Sequence, residues 1–242
     1  MTERRLLRVT GPDRVEFLQG LVTNDVSRAP VYAALLSPQG KYLSDFFIVP
    51  DGSDALLVDV AADQADDLLR RLSMYKLRAK VEIAEDPRRV GRGTGPAPEG
   101  AIADPRDPAL GWRSYGDAAQ DSTDWNALRV AHLVPEAGVE LKPNDSYILE
   151  MGFERLNGVD FRKGCYVGQE VTARMKHKTE LKKGLRRVVL DGEVPPGTPI
   201  MTADGREAGV IHTQSGGRGI AYLRFDRLGD GMTAGGVPVR AE

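Results

Sequence analysis

Phe161-Arg162-Lys163-Gly164-Cys165-Tyr166-Val167-Gly168-Gln169-Glu170 holds the one cysteine of this chain, and the rest of the sequence is best read outward from it. Glycines bracket the thiol at 164 and 168, and Lys163 stands two residues before it. The reactive and metal-binding form of cysteine is the thiolate. Lys163 and the N-terminus of a short helix expected over 169–175 both favour negative charge, so both would lower the pKa of Cys165. The glycines would let the backbone approach a ligand closely. The competing reading is a buried, inert cysteine. In a glycine-rich, lysine-flanked loop the functional reading is preferred.

Downstream, the texture changes at Gly184. Short alternating strands at 185–190, 208–213, 220–225 and 237–240 are separated by Pro195-Pro196-Gly197, Asp204-Gly205 and Ser215-Gly216-Gly217. That is the pattern of a small antiparallel barrel. A boundary is expected near 182, giving domains 1–182 and 183–242. Upstream, strands are expected at 4–9, 31–37, 41–49, 55–60 and 77–84, with a short helix after Gly11-Pro12-Asp13. Ala65, Leu68, Leu69 and Leu72 mark the apolar stripe of a helix over about 62–75. A further helix is expected from about Asp124 to Val134, capped by Thr123 or Asp124 and ended by Pro135. Residues 86–108 are rich in Gly, Pro and Arg and lack periodicity, so they read as a loop. Within them Gly91-Arg92-Gly93-Thr94-Gly95 reads as a flexible linker, because no Lys-Ser/Thr follows the glycines as a phosphate loop requires.

The 242 residues are 41% apolar, enough for one large domain or two modest ones. A net charge of −2 does not suggest wholesale nucleic-acid binding. A single cysteine excludes an intramolecular disulfide framework and fits a reducing compartment. No run approaches the roughly 18–20 apolar residues of a membrane span. A soluble, cytoplasmic protein with no membrane association is expected.

Asp45 is the second candidate. By strand alternation it shares a face with Leu43, Phe47 and Val49, while Tyr42, Phe46 and Ile48 occupy the other. Both faces look buried, so the carboxylate must be paired or have its pKa raised. It could hold the polar edge of a ligand, act as an acid or base, or simply pair with an arginine. Trp125, in the first turn of its helix, could stack on a planar ligand or pack in the core. His132, His177 and His212 share no metal-ligand spacing with Cys165, and no metal site is expected. A Cys165–His177 nucleophilic pair is the most plausible of the pairings open to the thiol. One cysteine cannot hold an iron–sulfur cluster alone, since four ligands are usual. The others would come from a partner protein, a second copy or small-molecule thiols. The stretch from Arg174 to Arg187 has seven basic residues against Glu180. It reads as a solvated surface or an anion site, with RNA disfavoured because no aromatic residue is interleaved.

The run from Lys163 to Glu170 resembles the Lys-Gly-Cys-Tyr-x-Gly-Gln-Glu signature of the YgfZ family, which is related to the glycine cleavage T-protein. Support runs along the whole chain. Phe17-Leu18-Gln19-Gly20-Leu21-Val22-Thr23-Asn24-Asp25-Val26, Ser37-Pro38-Gln39-Gly40-Lys41 with Asp45, Trp125-x-x-x-Arg129 with Pro135-Glu136, and Gly219-Ile220-Ala221-Tyr222-Leu223-Arg224 resemble successive family segments. The pattern is similar to the branch that includes the mitochondrial iron–sulfur assembly factor. The resemblance implies an α+β fold: two interleaved T-protein-like folate-binding subdomains in a ring, with a C-terminal antiparallel β-barrel. It implies tetrahydrofolate in the central hole and a role in making or maintaining iron–sulfur clusters of client enzymes, some of which modify tRNA. Its implied partners are folate and the assembly machinery or its clients. By position, Cys165 would be the required thiol and Lys163 its neighbour. Trp125, Asp45 and Asn24 would border the folate, with Tyr166 and Gln169 beside them. Ser44 stands where T-proteins carry a first aspartate of a pair, and Arg113-Ser114-Tyr115-Gly116-Asp117 is only a loose echo of their pteridine-recognition motif. Those departures weaken the alternative of a tetrahydrofolate-dependent aminomethyltransferase.

Overall fold

The computed structural model describes residues 3–116, 121–178 and 180–242; Asp117 lies outside them. The chain runs β1 (Arg4–Thr10), α1 (Arg14–Gln19), β2 (Val31–Leu36), β3 (Tyr42–Asp51), β4 (Ala55–Ala61), α2 (Ala62–Tyr75), β5 (Glu82–Asp86), β6 (Arg89–Gly93), β7 (Ile102–Ala103), β8 (Trp112–Gly116), α3 (Trp125–His132) and α4 (Gln169–Lys178). Then come β9 (Lys183–Leu190), β10 (Pro199–Met201), β11 (Glu207–Ser215), β12 (Arg218–Arg224), β13 (Thr233–Ala234) and β14 (Val237–Ala241). The first five strands form one antiparallel sheet in the order β2-β3-β4-β1-β5. Strands β6, β8 and β7 form a small second sheet, and β9 to β14 close into a six-stranded barrel. No helix among the described residues is long and apolar enough to cross a membrane.

Strands β2, β3 and β4 are apolar on both faces because both faces are covered. One face packs with α1 and α2 through Leu18, Leu68 and Leu72 against Phe46, Ile48 and Val58. The other packs Tyr32, Phe47 and Leu57 against Val130, Ile148, Phe153 and Tyr166, and reaches Leu185 and Ile220 of the barrel. The barrel interior is a third core around Val188, Ile200, Ile211 and Leu223.

The structure departs from the expected alternation of β3. Leu35 pairs with Ser44 and Leu36 with Tyr42, so Leu43 is an extra residue, a β-bulge. A bulge reverses the facing of everything before it. Leu43 therefore packs with Phe46 and Ile48, and Tyr42 joins the face of Asp45 and Phe47. The segment 86–108 also differs from its expected loop. Arg89–Gly93 pairs along its whole length with Trp112–Gly116. Gly93 lacks a side chain because a Cβ there would lie 2.6 Å from the Trp112 ring. Backbone pairing without an apolar pattern left this strand invisible to periodicity. The strand expected at 77–84 begins only at Glu82; Leu77 has φ 40° and is 89% exposed, which breaks any earlier ladder.

Candidate functional site

The segment 161–170 holds Cys165 at the surface between two anchored residues. Lys163, two positions earlier, is 8% exposed, and its Nζ donates to the carbonyls of Gln19 (2.8 Å), Val22 (2.5 Å) and Asn24 (2.9 Å). These three bonds use the full donor capacity of an ammonium. Burial pushes the Lys163 pKa down to about 8, against the opposing pull of Asp25 and Asp160. Lys163 is thus a tether of the loop to the end of α1, where the sequence suggested a charge aimed at the thiol. Tyr166, one position after Cys165, is 7% exposed and packs in the second core; burial raises its phenol to about 12. The half-buried Gln169 starts α4, its N–H donating to Tyr166 O.

The loop is held from the other side by the hairpin tip after β2. Gly168 has φ +82°, and a Cβ there would lie 2.6 Å from Ser37 O; a Cβ on Gly40 would lie 2.7 Å from Cβ of Val171. Two glycines distant in sequence are therefore required by one close contact. At Gly164 an added Cβ would meet open space, so this glycine leaves room beside the exposed thiol. We expect Gly168→Ala to cost about 2 kcal/mol in chemical denaturation, from the left-handed backbone and the clash together. Gly164→Ala should stay within about 0.5 kcal/mol of the wild type. His177 packs edge-on against Phe161 at 6.2 Å between ring centres, and not as the imagined partner of Cys165. Among the described residues no group of three or more His, Cys, Asp or Glu side chains converges to hold a metal.

Asp45 and Trp125 meet elsewhere, around a cavity with about 30 Å³ of free space. Asp45, 5% exposed, accepts Tyr32 OH on Oδ2 (2.9 Å) and Tyr42 OH on Oδ1 (2.6 Å). The bulge is what brings Tyr42 to this face. Burial, reinforced by the Asp45 charge, raises both phenols well above their ordinary value, so both remain donors. Asn24 does not border this cavity. Its side chain donates to Tyr32 O and Asn157 O, and its carbonyl receives Lys163, so it belongs to the anchoring of the cysteine loop.

The dominant feature of the cavity went unread in the sequence: five arginines line it, namely Arg4, Arg92, Arg106, Arg113 and Arg129. Arg113 is 1% exposed and donates to Asp59 Oδ2 at 2.5 Å, with Arg4 Nε on Oδ1 at 2.6 Å. Arg106 holds Asp104 through two bonds, at 3.0 and 2.8 Å. Arg129 donates to Glu136 at 2.8 Å and also pairs with Glu140. A signal existed. Asp59 interrupts the apolar strand Ala55-Leu56-Leu57-Val58-Asp59-Val60-Ala61, and a carboxylate buried there, like Asp45, must be paired or have its pKa raised.

The resemblance places tetrahydrofolate between Asp45 and Trp125, and the residues do not fit a pterin there. Thirty cubic ångströms admits about two waters. The Arg113 guanidinium lies 3.8 Å from the centre of the Phe47 ring, and Arg92 lies 4.6 Å from the centre of Trp125, so both flat walls are covered. Both oxygens of Asp45 already accept hydroxyl protons.

An α+β body with a six-stranded antiparallel C-terminal barrel defines the fold class of this protein. The glycine cleavage system aminomethyltransferase T of Bartonella henselae shares the fold, with a TM-score of 0.76 over 98% of this chain and 82% of that one, at 13% identity. Residues 182–242 match the family model described as CAF17, C-terminal beta-barrel domain. The iron–sulfur cluster assembly factor IBA57 homolog, mitochondrial, of Pyricularia oryzae is 32% identical, covering 100% of this chain and 75% of its own length. The corresponding proteins of Mus musculus and Homo sapiens are 32% and 30% identical, each covering 93% of this chain and 76% of its own length. The chain belongs to the IBA57/CAF17 (YgfZ-like) family of iron–sulfur cluster assembly factors, with a T-protein-like fold.

Proposed function

We propose that this chain assists the assembly or maintenance of iron–sulfur clusters in client proteins, with Cys165 as the group that meets the cluster. The carrying observation is an exposed thiol on a loop fixed from both sides, by the Lys163 tether and by the Gly40–Gly168 contact. A fixed, exposed thiolate can supply one ligand to an incoming cluster, losing its proton as the sulfur–iron bond forms. Four ligands are usual. The remaining ligands come from the assembly machinery or the client, so the cluster is cargo shared across an interface. A free thiol needs a reducing compartment, and we propose the cytoplasm as the place of action; the relatives named above are described as mitochondrial. The test is the activity of client enzymes in cells carrying Cys165→Ser.

The proposal includes neither one-carbon transfer nor a tetrahydrofolate site between Asp45 and Trp125. A reconstituted glycine cleavage system with this chain as its only T-component should show no turnover. Turnover above the no-protein control would restore the transferase reading. The basic stretch from Arg174 to Arg187 does not favour a direct tRNA contact. Arg174 pairs with Glu170, Lys176 with Glu154 and Arg187 with Glu242, while Lys183 and Arg186 lie over the rings of Tyr222 and Phe225.

A further inference from the structure

Four of the five cavity arginines are neutralised by carboxylates: Arg4 and Arg113 by Asp59, Arg106 by Asp104, Arg129 by Glu136 and Glu140. Arg92 is the exception. It is half-buried in the cavity wall; its backbone lies in the ladder opposite Arg113, but among the described residues its guanidinium has no carboxylate within 4 Å and no hydrogen-bond partner. Its one contact of note is the face of Trp125. A ring face attracts the charge but leaves the planar N–H donors of a guanidinium unused.

Arg92 is also surrounded by its own kind. Burial and the charges of Arg113, Arg4 and Arg106 push its pKa down to about 10, with Glu136 acting the other way. A guanidinium does not escape such a place by losing its proton near neutral pH. A partly desolvated cation among cations is costly to hold, and a fold keeps it at the expense of stability unless something neutralises it. The shape of the free space says what could. At about two waters' worth of space it is too small for a ring system, and what it can take is the smallest oxyanion group, a carboxylate or the leading oxygens of a phosphate. The forked donors of arginine match both of those groups in a bidentate way.

We propose that this cavity is a small-oxyanion site in which Arg92 is the binding residue, Trp125 forms the wall behind it, and a phosphate or carboxylate group is the ligand. The proposal does not rest on the role of Cys165, and it replaces a pterin with an anion at the centre of the T-protein-like body. The four paired arginines are fixed around the space by their carboxylates, and Asp45 and Glu136 are the carboxylates that share the wall with them. Arg92 is the donor left free to close on the ligand.

The test uses the full chain, with inorganic phosphate and succinate as the two probes. Each is titrated by calorimetry at constant ionic strength, with chloride as the balancing anion. The wild type should show saturable binding at one site, and whichever probe binds tighter identifies the ligand as phosphate-like or carboxylate-like. Arg92→Gln should bind the same probe at least about tenfold more weakly, the loss expected for a charge-assisted contact. Arg92→Lys, which keeps the charge and loses the fork, should fall between. Without ligand, Arg92→Gln should melt at a temperature equal to or above the wild type, because an unneutralised cation has been removed. Saturating probe should raise the melting temperature of the wild type alone. No saturable binding of either probe by the wild type would overturn the proposal. So would equal binding by Arg92→Gln, or a ligand-free Arg92→Gln melting clearly below the wild type, which would make Arg92 a structural residue.

Discussion

Cys165→Ser is expected to abolish the function of this chain in cells while leaving its fold intact. The side chain is exposed, and no packing depends on it, so the change in unfolding free energy should stay within about 0.5 kcal/mol. A serine hydroxyl keeps the size of the thiol but is not ionised near neutral pH, and it is a poor ligand for iron. Client enzyme activity in cells that rely on the variant should fall to the level of cells lacking the gene. Lys163→Met should produce a partial version of the same defect. It removes the ammonium that three carbonyls bind, so the loop loses its tether while Cys165 keeps its chemistry. The two variants thus separate the thiol from its positioning.

The second large effect belongs to the arginine cavity. Asp59→Asn should destabilise the protein by about 3–5 kcal/mol, the cost of leaving a buried cation without its partner. Asp59 is fully buried and accepts from Arg4, Arg113 and Tyr115 OH. Asparagine keeps the volume and loses the charge, so Arg113 would stay in the core with only its longer contact to Asp104, at 3.5 Å, to offset it. The same pair gives a pH signature. Burial alone would raise the Asp59 carboxyl, but Arg113 and then Arg4 outweigh it and hold the pKa below its ordinary 3.8. A carboxylate depressed in the folded state stabilises fully above its unfolded pKa and loses that contribution as pH falls through the folded one. The wild type should therefore lose stability on acidification below about pH 4, where the unfolded carboxylate starts to take up protons. The Asp59→Asn variant, which has no such contribution to lose, should show a flatter acid limb in urea denaturation between pH 5 and pH 3. An equally steep limb would mean that other carboxylates carry the acid sensitivity.

What could be read in advance and what could not divides along physical lines. The barrel was legible because alternation and glycine-rich turns are local; its strands at 183–190, 207–215, 218–224 and 237–241 lie where the pattern places them. The two short strands β10 and β13 carry too few residues to show a period. Helix α3 was legible from its cap, since Asp124 accepts the N–H of Ala127 at 3.0 Å. The second sheet was not, because Arg-Val-Gly-Arg-Gly pairs through its backbone and needs glycine where Trp112 approaches. The partner of Asp45 was also out of reach. It depended on one bulge residue, Leu43, that turns Tyr42 through to the other face. Lys163 was singled out for its charge, but three distant carbonyls decide its role. The arginines of the cavity come from β1, β6, β8, α3 and the 104–107 loop, so only the fold brings them together. Asp59 alone could have announced them.

The measurement that bears most directly on the central claim is cluster capture under anaerobic conditions. The full chain, as wild type or Cys165→Ser, is mixed with a carrier protein loaded with an iron–sulfur cluster. Complex formation is read by size-exclusion chromatography with visible absorption, and cluster retention by iron and sulfide content. The account predicts a cluster-dependent complex with the wild type, no complex with the cluster-free carrier, and loss of the complex with Cys165→Ser. A Cys165→Ser variant that captured the cluster-loaded carrier as well as the wild type would contradict it.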